Sequence, residues 1–127
     1  MSRSFQEPSQ RQLRVGEQLR HIIAETLLRG HFHDPVLLDA GKITVTEVKV
    51  APDLKNATVF VLSLGGEDME HILPALNDAA NYFQGEINRK TELKFTPKLK
   101  FKIDDSFEKA QRLDSILNNL KYSPEEN

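Results

Sequence analysis

Two segments rich in β-branched residues lie close together in the middle of the chain and constrain its fold more than any other feature. KITVTEVKV covers residues 42–50, and ATVFVLSL covers residues 57–64. The intervening APDLKN supplies turn residues, so the sequence predicts a β-hairpin with a fairly long turn. Around Thr46 and Glu47 the apolar positions change from odd to even numbers, which predicts a β-bulge.

Amphipathic helices are predicted on both sides of this hairpin. Apolar residues recur at helical spacing over residues 12–29, and a loop is expected over residues 30–42. After the hairpin, apolar residues at spacings of three and four cover residues 69–87. Pro74 removes a backbone donor inside that stretch, so we expect two helices that meet at a kink.

A third strand is predicted at residues 98–103, where KLKFKI alternates strictly between lysine and apolar side chains. Successive side chains of a strand point to opposite faces, so this strand should be half buried and carry a lysine face. A short helix capped by Ser106 is expected to follow. The predicted order of elements is α-β-β-α-α-β-α.

Composition indicates one globular domain. The 127 residues are 39% hydrophobic and 28% charged, and none is cysteine. No apolar run approaches the roughly 18 residues that cross a bilayer, and no signal peptide is recognisable. We therefore expect a cytoplasmic protein without disulfides, with one domain at residues 11–121 between flexible tails at residues 1–10 and 122–127.

Charge is distributed unevenly along the chain. The formal net charge is −2, but residues 84–102 carry six basic residues and two glutamates, a balance of +4. Residues 30–83, with three lysines and eight acidic residues, have a balance of −5. Phosphate-binding proteins are usually basic overall, so binding to nucleic acid would have to depend on one local surface.

No motif for catalysis is present. The sequence contains no phosphate-binding loop, no Gly-x-Ser-x-Gly and no His-Glu-x-x-His. Asp104 and Asp105 form an adjacent acidic pair near a strand end, where acid–base groups can occur. Their neighbour Ser106 makes helix capping the simpler role. We therefore predict a protein that is not an enzyme.

Metal and cofactor binding are not predicted either. His21, His31 and His33, together with Asp34, are metal-ligating residue types. No closed set of structural ligands accompanies them, so we expect no metal and no cofactor.

Four successive blocks of the sequence resemble the ribosome-binding factor A family. In chain order they are RVGEQLRHIIAETL, HDP, VTEVKVAPDLKNATVFVLSL and LNDAANYFQGEINRKTELKFTPKLKFKIDDS, within residues 14–106. The most specific pieces are residues 48–61, with Pro-Asp-Leu at the turn, and residues 93–106. The resemblance implies an α+β, type II K-homology-like domain with the order α-β-β-α-α-β, a kinked helix pair, a three-stranded sheet and a C-terminal helix.

The function implied by the resemblance is that of a bacterial ribosome maturation factor. Such a factor binds the free or immature small ribosomal subunit, contacts its rRNA and assists late rRNA processing and assembly. We expect a monomer with no membrane partner and no small-molecule substrate. The alternative is a protein-interaction adaptor that uses a K-homology-like fold without direct RNA contact. Salt dependence separates the two, because phosphate contacts release counterions.

The sequence departs from the usual K-homology signature, because it contains no Gly-x-x-Gly loop for clamping nucleotide backbone. The family resemblance implies an Ala-x-Gly kink instead, and the matching positions are Ala79, Ala80 and Asn81. Asparagine tolerates positive φ better than most residues, so we predict that Asn81 adopts, or lies beside, a non-helical conformation.

The predicted RNA-binding residues fall in two groups. Lys98, Lys100 and Lys102 are expected to form one continuous positive surface with three residues that precede the strand, namely Arg89, Lys90 and Lys94. The other interpretations are that strand lysines are a solvated face protecting an edge, and that Arg89 and Lys90 cap a helix.

The first helix provides the second group of candidates, Arg14 and Arg20 with Arg11 near its start. Arginines on an amphipathic helix are ordinarily its solvent-facing side. Tyr82, next to the predicted kink, is a candidate for stacking on a base, whereas Phe83 fits the core stripe.

Overall fold

The structure is a computed structural model that describes residues 7–30, 32, 34–37, 42–63 and 69–122. Within these residues the fold is α+β, with four α-helices and a three-stranded sheet, as the sequence predicts. The helices are α1 (Gln10–Arg29), α2 (Met69–Asp78), α3 (Ala80–Lys90) and α4 (Ser106–Tyr122), and the strands are β1 (Ile43–Val50), β2 (Asn56–Ser63) and β3 (Lys98–Ile103). A 3₁₀ turn, Pro35–Leu37, lies between α1 and β1.

The sheet has the order β1-β2-β3, with β1 antiparallel and β3 parallel to the central strand. The pairing of β1 with β2 shifts between Val45 and Glu47, so Thr46 is the extra residue of a bulge. The predicted bulge is therefore confirmed. The hairpin turn contains Leu54 at φ 63°, a conformation that few non-glycine residues adopt.

Helix α1 begins at Gln10, two residues before the apolar pattern indicated. Ser9 Oγ accepts a hydrogen bond from the Gln12 N–H at 3.1 Å, and Gln12 Oε1 accepts one from the Ser9 N–H at 2.9 Å. This reciprocal capping box lies ahead of the first buried apolar residue, so hydrophobic periodicity does not reveal it. Gln12 Nε2 also donates to the Val50 carbonyl at 2.8 Å, which links the helix start to β1.

The core lies between one face of the sheet and helices α1, α2 and α3. Leu19 and Ile23 from α1, Leu76 from α2 and Phe83 from α3 are fully buried with Phe101 of β3. The rings of Phe83 and Phe101 have centroids 5.1 Å apart. Alternate strand residues point into this core, so the remaining strand residues form an open face on the other side of the sheet.

The helical stretch after the hairpin is interrupted at Ala79, which has φ −91° and ψ 9°. Asn81 lies inside α3 and is exposed, and Leu54 is the only non-glycine residue with positive φ among the described ones. The break falls at Ala79, one of the three residues assigned to the kink, and Asn81, two residues later, does not itself leave the helix. A ψ near zero at Ala79 interrupts the helix without any positive φ.

Helix α4 is longer than the short helix that was expected, with 17 residues. Its first helical hydrogen bond runs from the Lys109 N–H to the Asp105 carbonyl at 3.0 Å, and Asp104 Oδ1 accepts from the Ser106 N–H at 2.9 Å. The Asp104 side chain and the Asp105 carbonyl therefore provide the cap that was assigned to Ser106. Three apolar residues of α4 are at least half exposed, namely Leu113, Ile116 and Leu117.

Candidate RNA interface

The open face of the sheet carries the lysines of β3. Lys98, Lys100 and Lys102 are exposed, whereas Leu99 and Phe101 between them are buried against the helices. The exposed Lys49 of β1 belongs to the same face, since Val48 and Val50 on either side of it are buried. We call these four lysines, Lys49, Lys98, Lys100 and Lys102, the lysine face.

Strand register places an aromatic ring within the lysine face. Phe60 of β2 is half buried and pairs with Lys102 on one side and Glu47 on the other. The Lys49 Nζ lies 5.6 Å from the centroid of the Phe60 ring. Lysines around an aromatic ring on an open sheet are the side-chain types that bind phosphates and stack on bases.

Within the part of the chain that the structure describes, the charge of the lysine face is little neutralised, and Lys49 acts on the Asp104 carboxylate. The four lysines form no ion pair there, although Glu47 lies on the same side of the sheet. Their ammonium groups are therefore exposed to solvent and accessible to an external anion. The positive potential of such a surface attracts phosphate and is screened by salt.

Edge protection does not account for these lysines, because the outer edge of β3 is already occupied by side chains from the helices. Asn77 Oδ1 accepts from the Phe101 N–H at 2.8 Å, and Asn77 Nδ2 donates to the Phe101 carbonyl at 3.2 Å. Gln84 Oε1 accepts from the Leu99 N–H at 3.0 Å. With these backbone groups paired, the edge offers fewer sites for another strand.

One end of the open face is held together by Asp104, which follows β3. Its carboxylate accepts hydrogen bonds from the Ser106 hydroxyl at 2.6 Å and from the Thr46 hydroxyl. These bonds, with a smaller contribution from the positive charge of Lys49, hold the pKa of Asp104 below its usual value. The bulge directs Thr46 to this contact, so β1 and the start of α4 are connected across the sheet.

Arg89 and Lys90 do not share the lysine face. Both lie on α3, on the opposite side of the sheet from the lysine side chains. Arg89 pairs with Glu86, and Lys90 Nζ lies 3.3 Å from Glu25 Oε1 and 3.7 Å from Glu86 Oε1. The continuous positive surface predicted from the sequence is therefore divided. Sequence spacing alone does not show that α1 provides an acidic partner for Lys90.

The candidate arginines of α1 lie apart from the lysine face. Arg20 pairs with Glu17, and this contact holds the pKa of the Glu17 carboxyl below its usual value. Arg14 and Arg11 are exposed, and Arg11 lines a cavity near the hairpin turn together with Lys94. Lys94 therefore belongs neither to the lysine face nor to the ion pairs at the end of α3.

Tyr82 is only partly available for stacking. Its ring packs edge-on against Phe32, with centroids 5.2 Å apart. It lines a cavity of about 340 Å³ beside the helix break, together with Asp34 and Asp78. Two carboxylates make this cavity a poor place for a nucleotide, because they repel phosphate.

Within the described residues, no group of three or more potential metal ligands is present. His21 Nε2 lies 3.6 Å from Glu17 Oε2, and His31 and His33 lie outside the described part of the chain. No described helix is long and apolar enough to span a membrane.

Sequence reasoning missed two residues of this site, Lys49 and Phe60. The signal was available in the hairpin, because the parity of buried positions in each strand assigns both residues to the open face. Strand register, which brings them beside β3, was not predictable from that pattern alone.

Comparison with known proteins identifies the family. A sequence model described as "Ribosome-binding factor A" matches residues 11–117. The chain belongs to the ribosome-binding factor A family. A family member from Paramagnetospirillum magneticum is 56% identical over 119 residues, which cover 94% of this chain and 83% of that protein.

Solved structures of the family have the same fold. The crystal structure of ribosome-binding factor A from Thermus thermophilus matches with a TM-score of 0.60 at 24% identity, covering 72% of this chain and 94% of that one. A homology model of the Thermus thermophilus protein, fitted into a cryo-EM map of a 30S complex, matches with a TM-score of 0.56 at 22% identity, covering 71% and 91%. At these identities the matches establish likeness of fold.

Proposed function

We propose that this protein is a bacterial ribosome maturation factor that binds the free or immature small ribosomal subunit and contacts its rRNA through the lysine face. Family membership and the 30S complex of the Thermus thermophilus relative support the choice of partner. The single observation that carries the proposed contact is the open sheet face, where four exposed lysines share one side with the half-buried Phe60 and form no ion pairs in the described chain.

The proposed mechanism is steric and conformational. Bound to an rRNA element, the protein shifts that element toward the conformation it binds best and so assists late rRNA processing and assembly without catalysing a reaction. We further propose that it acts as a cytoplasmic monomer. The arrangement of α2, α3 and the sheet is consistent with a type II K-homology-like domain, in which the break at Ala79 replaces the Gly-x-x-Gly loop.

Charge reversal on the lysine face tests this proposal. Lys98→Glu, Lys100→Glu and Lys102→Glu combined should weaken binding to purified small subunits at least tenfold, about 1.4 kcal/mol. The logarithmic dependence of affinity on salt should flatten by about one unit for each phosphate contact that is lost. Because these side chains point away from the core, circular dichroism and the melting temperature should stay close to those of the parent.

A control of equal charge reverses three exposed basic residues that lie on helices: Arg29→Glu, Lys109→Glu and Arg112→Glu. The first two lose ion pairs with Glu25 and Asp105, so the melting temperature of the control is measured as well. This variant has the same net charge as the first one. We expect its affinity for the subunit to stay near that of the parent. An equal loss of affinity in both variants, or parental affinity and salt slope in the lysine variant, would contradict the proposed contact.

A second candidate function is that of a protein-interaction adaptor. The half-exposed Leu113, Ile116 and Leu117 of α4 favour it, because an exposed apolar helix stripe is a common docking element for proteins. An adaptor of this kind should bind its partner with little dependence on salt. Replacing Leu113 and Leu117 by Gln should then abolish binding, whereas the lysine variant should bind normally.

A further inference from the structure

An exposed aromatic side chain lies outside the lysine face, in the loop between α3 and β3. Phe95 leaves 53% of its surface in contact with solvent, although the buried core lies only a few residues away along the chain. An exposed phenylalanine ring has no polar group that interacts with water. Single exposed apolar residues are ordinary on protein surfaces, so a ligand is indicated here only by the charge around the ring.

Positive charge surrounds this ring. The Lys55 Nζ lies 5.3 Å from the ring centroid and the Lys94 Nζ lies 5.6 Å from it, and both side chains are exposed. Arg11 lines the adjoining cavity of about 250 Å³, which also contacts Phe95. We call Phe95 with Lys55 and Lys94 the aromatic platform.

One acidic residue lines the cavity beside the platform. Asp53 lines the same cavity, and its Oδ1 accepts a hydrogen bond from the Lys55 N–H at 2.9 Å as part of the hairpin turn. The three cations around the ring therefore outnumber the one carboxylate that lines this cavity. The chemistry fits a ligand that combines a planar ring with negative charge, as a nucleotide does.

The platform lies beside one end of the lysine face. The Lys98 N–H donates to the Lys55 carbonyl at 2.9 Å, so the first lysine of β3 is next to the platform in the sheet. From Lys98 the lysines continue along β3 at every second residue, about 7 Å apart. The lysine face and the platform are therefore adjacent along the backbone at the hairpin-turn end of the sheet.

We propose that Phe95 stacks on an unpaired base of rRNA, with Lys55, Lys94 and Arg11 binding the adjoining phosphates. This inference rests on the proposed function and names the part of the RNA that the end of the sheet recognises. A cation–π contact at an exposed site contributes less than stacking of a base on an aromatic ring, so the base can displace one lysine from the ring. The displaced ammonium group, on its flexible stem, is then free to pair with the phosphate.

The test compares Phe95→Leu, which keeps an apolar side chain, with Phe95→Tyr, which keeps the ring. Each is titrated with a short single-stranded RNA of mixed sequence, with the duplex form of that RNA, and with purified small subunits. Phe95→Leu should weaken binding to the single strand and to the subunit about tenfold, leave the duplex unaffected and leave the salt slope unchanged. Phe95→Tyr should bind like the parent.

A matched aromatic control is Tyr82→Leu, since Tyr82 lies on α3 away from the sheet's open face and packs on Phe32. It should bind the single strand, the duplex and the subunit like the parent. A direct signal comes from Phe95→Trp, because the chain contains no other tryptophan. Its fluorescence should be quenched by the single strand and unchanged by the duplex.

Parental affinity of Phe95→Leu for the single strand and for the subunit would overturn the stacking proposal. Equal losses for single strand and duplex would overturn it too, because a paired base is not available to the ring. Either result leaves the proposed function standing if charge reversal on the lysine face still weakens subunit binding. Conversely, a loss in Phe95→Leu with no loss in the lysine variant would support stacking and contradict the proposed lysine contact.

Discussion

Gly16 of α1 lies directly against the carbonyl oxygen of Val48 in β1. A Cβ placed on Gly16 would be 2.6 Å from that oxygen, and the obstacle is backbone that cannot rotate away. Gly16→Ala should therefore force α1 away from the sheet and lower the free energy of unfolding by about 1 to 3 kcal/mol. Urea denaturation followed by circular dichroism measures this change.

Gly85, on the exposed side of α3, has room for the side chain that Gly16 cannot accommodate. A Cβ added there meets no atom within 4 Å. Gly85→Ala should raise the free energy of unfolding by about 0.5 to 1 kcal/mol, because glycine loses more backbone entropy in a helix than alanine does. If both substitutions change stability in the same direction, the assigned packing of one of these helices is incorrect.

The Asn77 side-chain amide satisfies the backbone groups of Phe101 that a neighbouring strand would otherwise pair with. It accepts from the N–H and donates to the carbonyl of that residue. Asn77→Leu should leave both backbone groups without this partner and lower the free energy of unfolding by about 1 to 3 kcal/mol. Hydrogen exchange at the Phe101 amide should accelerate more than exchange at the Leu99 amide, which Gln84 protects. Gln84→Leu should give the reverse order, and equal acceleration at both amides would argue against local pairing.

The Asp104 carboxyl should make the stability of the folded protein depend on pH in the acidic range. Its folded-state pKa lies below the ordinary value of 3.8, chiefly because the Ser106 and Thr46 hydroxyls donate to the ionised carboxylate. The stabilisation from this carboxylate is therefore fully present above about pH 3.8, the ordinary pKa of the group. It is lost as the pH falls through the lower pKa of the folded state. Asp104→Asn should lower the melting temperature at about pH 7, and the difference from the parent should shrink at about pH 2.

Thr46→Val provides a check on that cause, because it removes one hydroxyl donor and keeps the carboxylate. It should weaken the acid dependence of stability without abolishing it, since the bonds from Ser106 remain. An acid dependence identical to that of the parent would show that the Thr46 bond does not contribute in solution.

Asn81 should tolerate substitution, in contrast to what the family pattern suggested. The residue is exposed within α3 and has ordinary helical geometry, and isoleucine and asparagine have similar helix propensities. Asn81→Ile should therefore change the free energy of unfolding by less than about 0.5 kcal/mol. A loss well above that value would indicate that Asn81 takes positive φ in solution.

The sequence by itself determined the elements of this protein and the faces of its strands. Alternation in KLKFKI assigns Leu99 and Phe101 to the core and the three lysines to the other side, and a change of parity locates the bulge at Thr46. Such patterns act over two to four residues, because they follow from the geometry of one strand or one helix turn. The residues needed to recognise them are therefore neighbours in the chain.

Only the tertiary structure decided which distant groups meet. It pairs Lys90 with Glu25 of α1, places Lys55 beside Phe95, and brings Asn77 to the edge of β3. Partners of this kind depend on how helices and strands pack, and their spacing in the chain carries no periodic signal. The family resemblance implied a kink at Ala79, Ala80 and Asn81, and the structure decided that Ala79 is the residue that leaves the helix. Because packing decides these contacts, basic residues that form one segment in the sequence lie on separate surfaces of the fold.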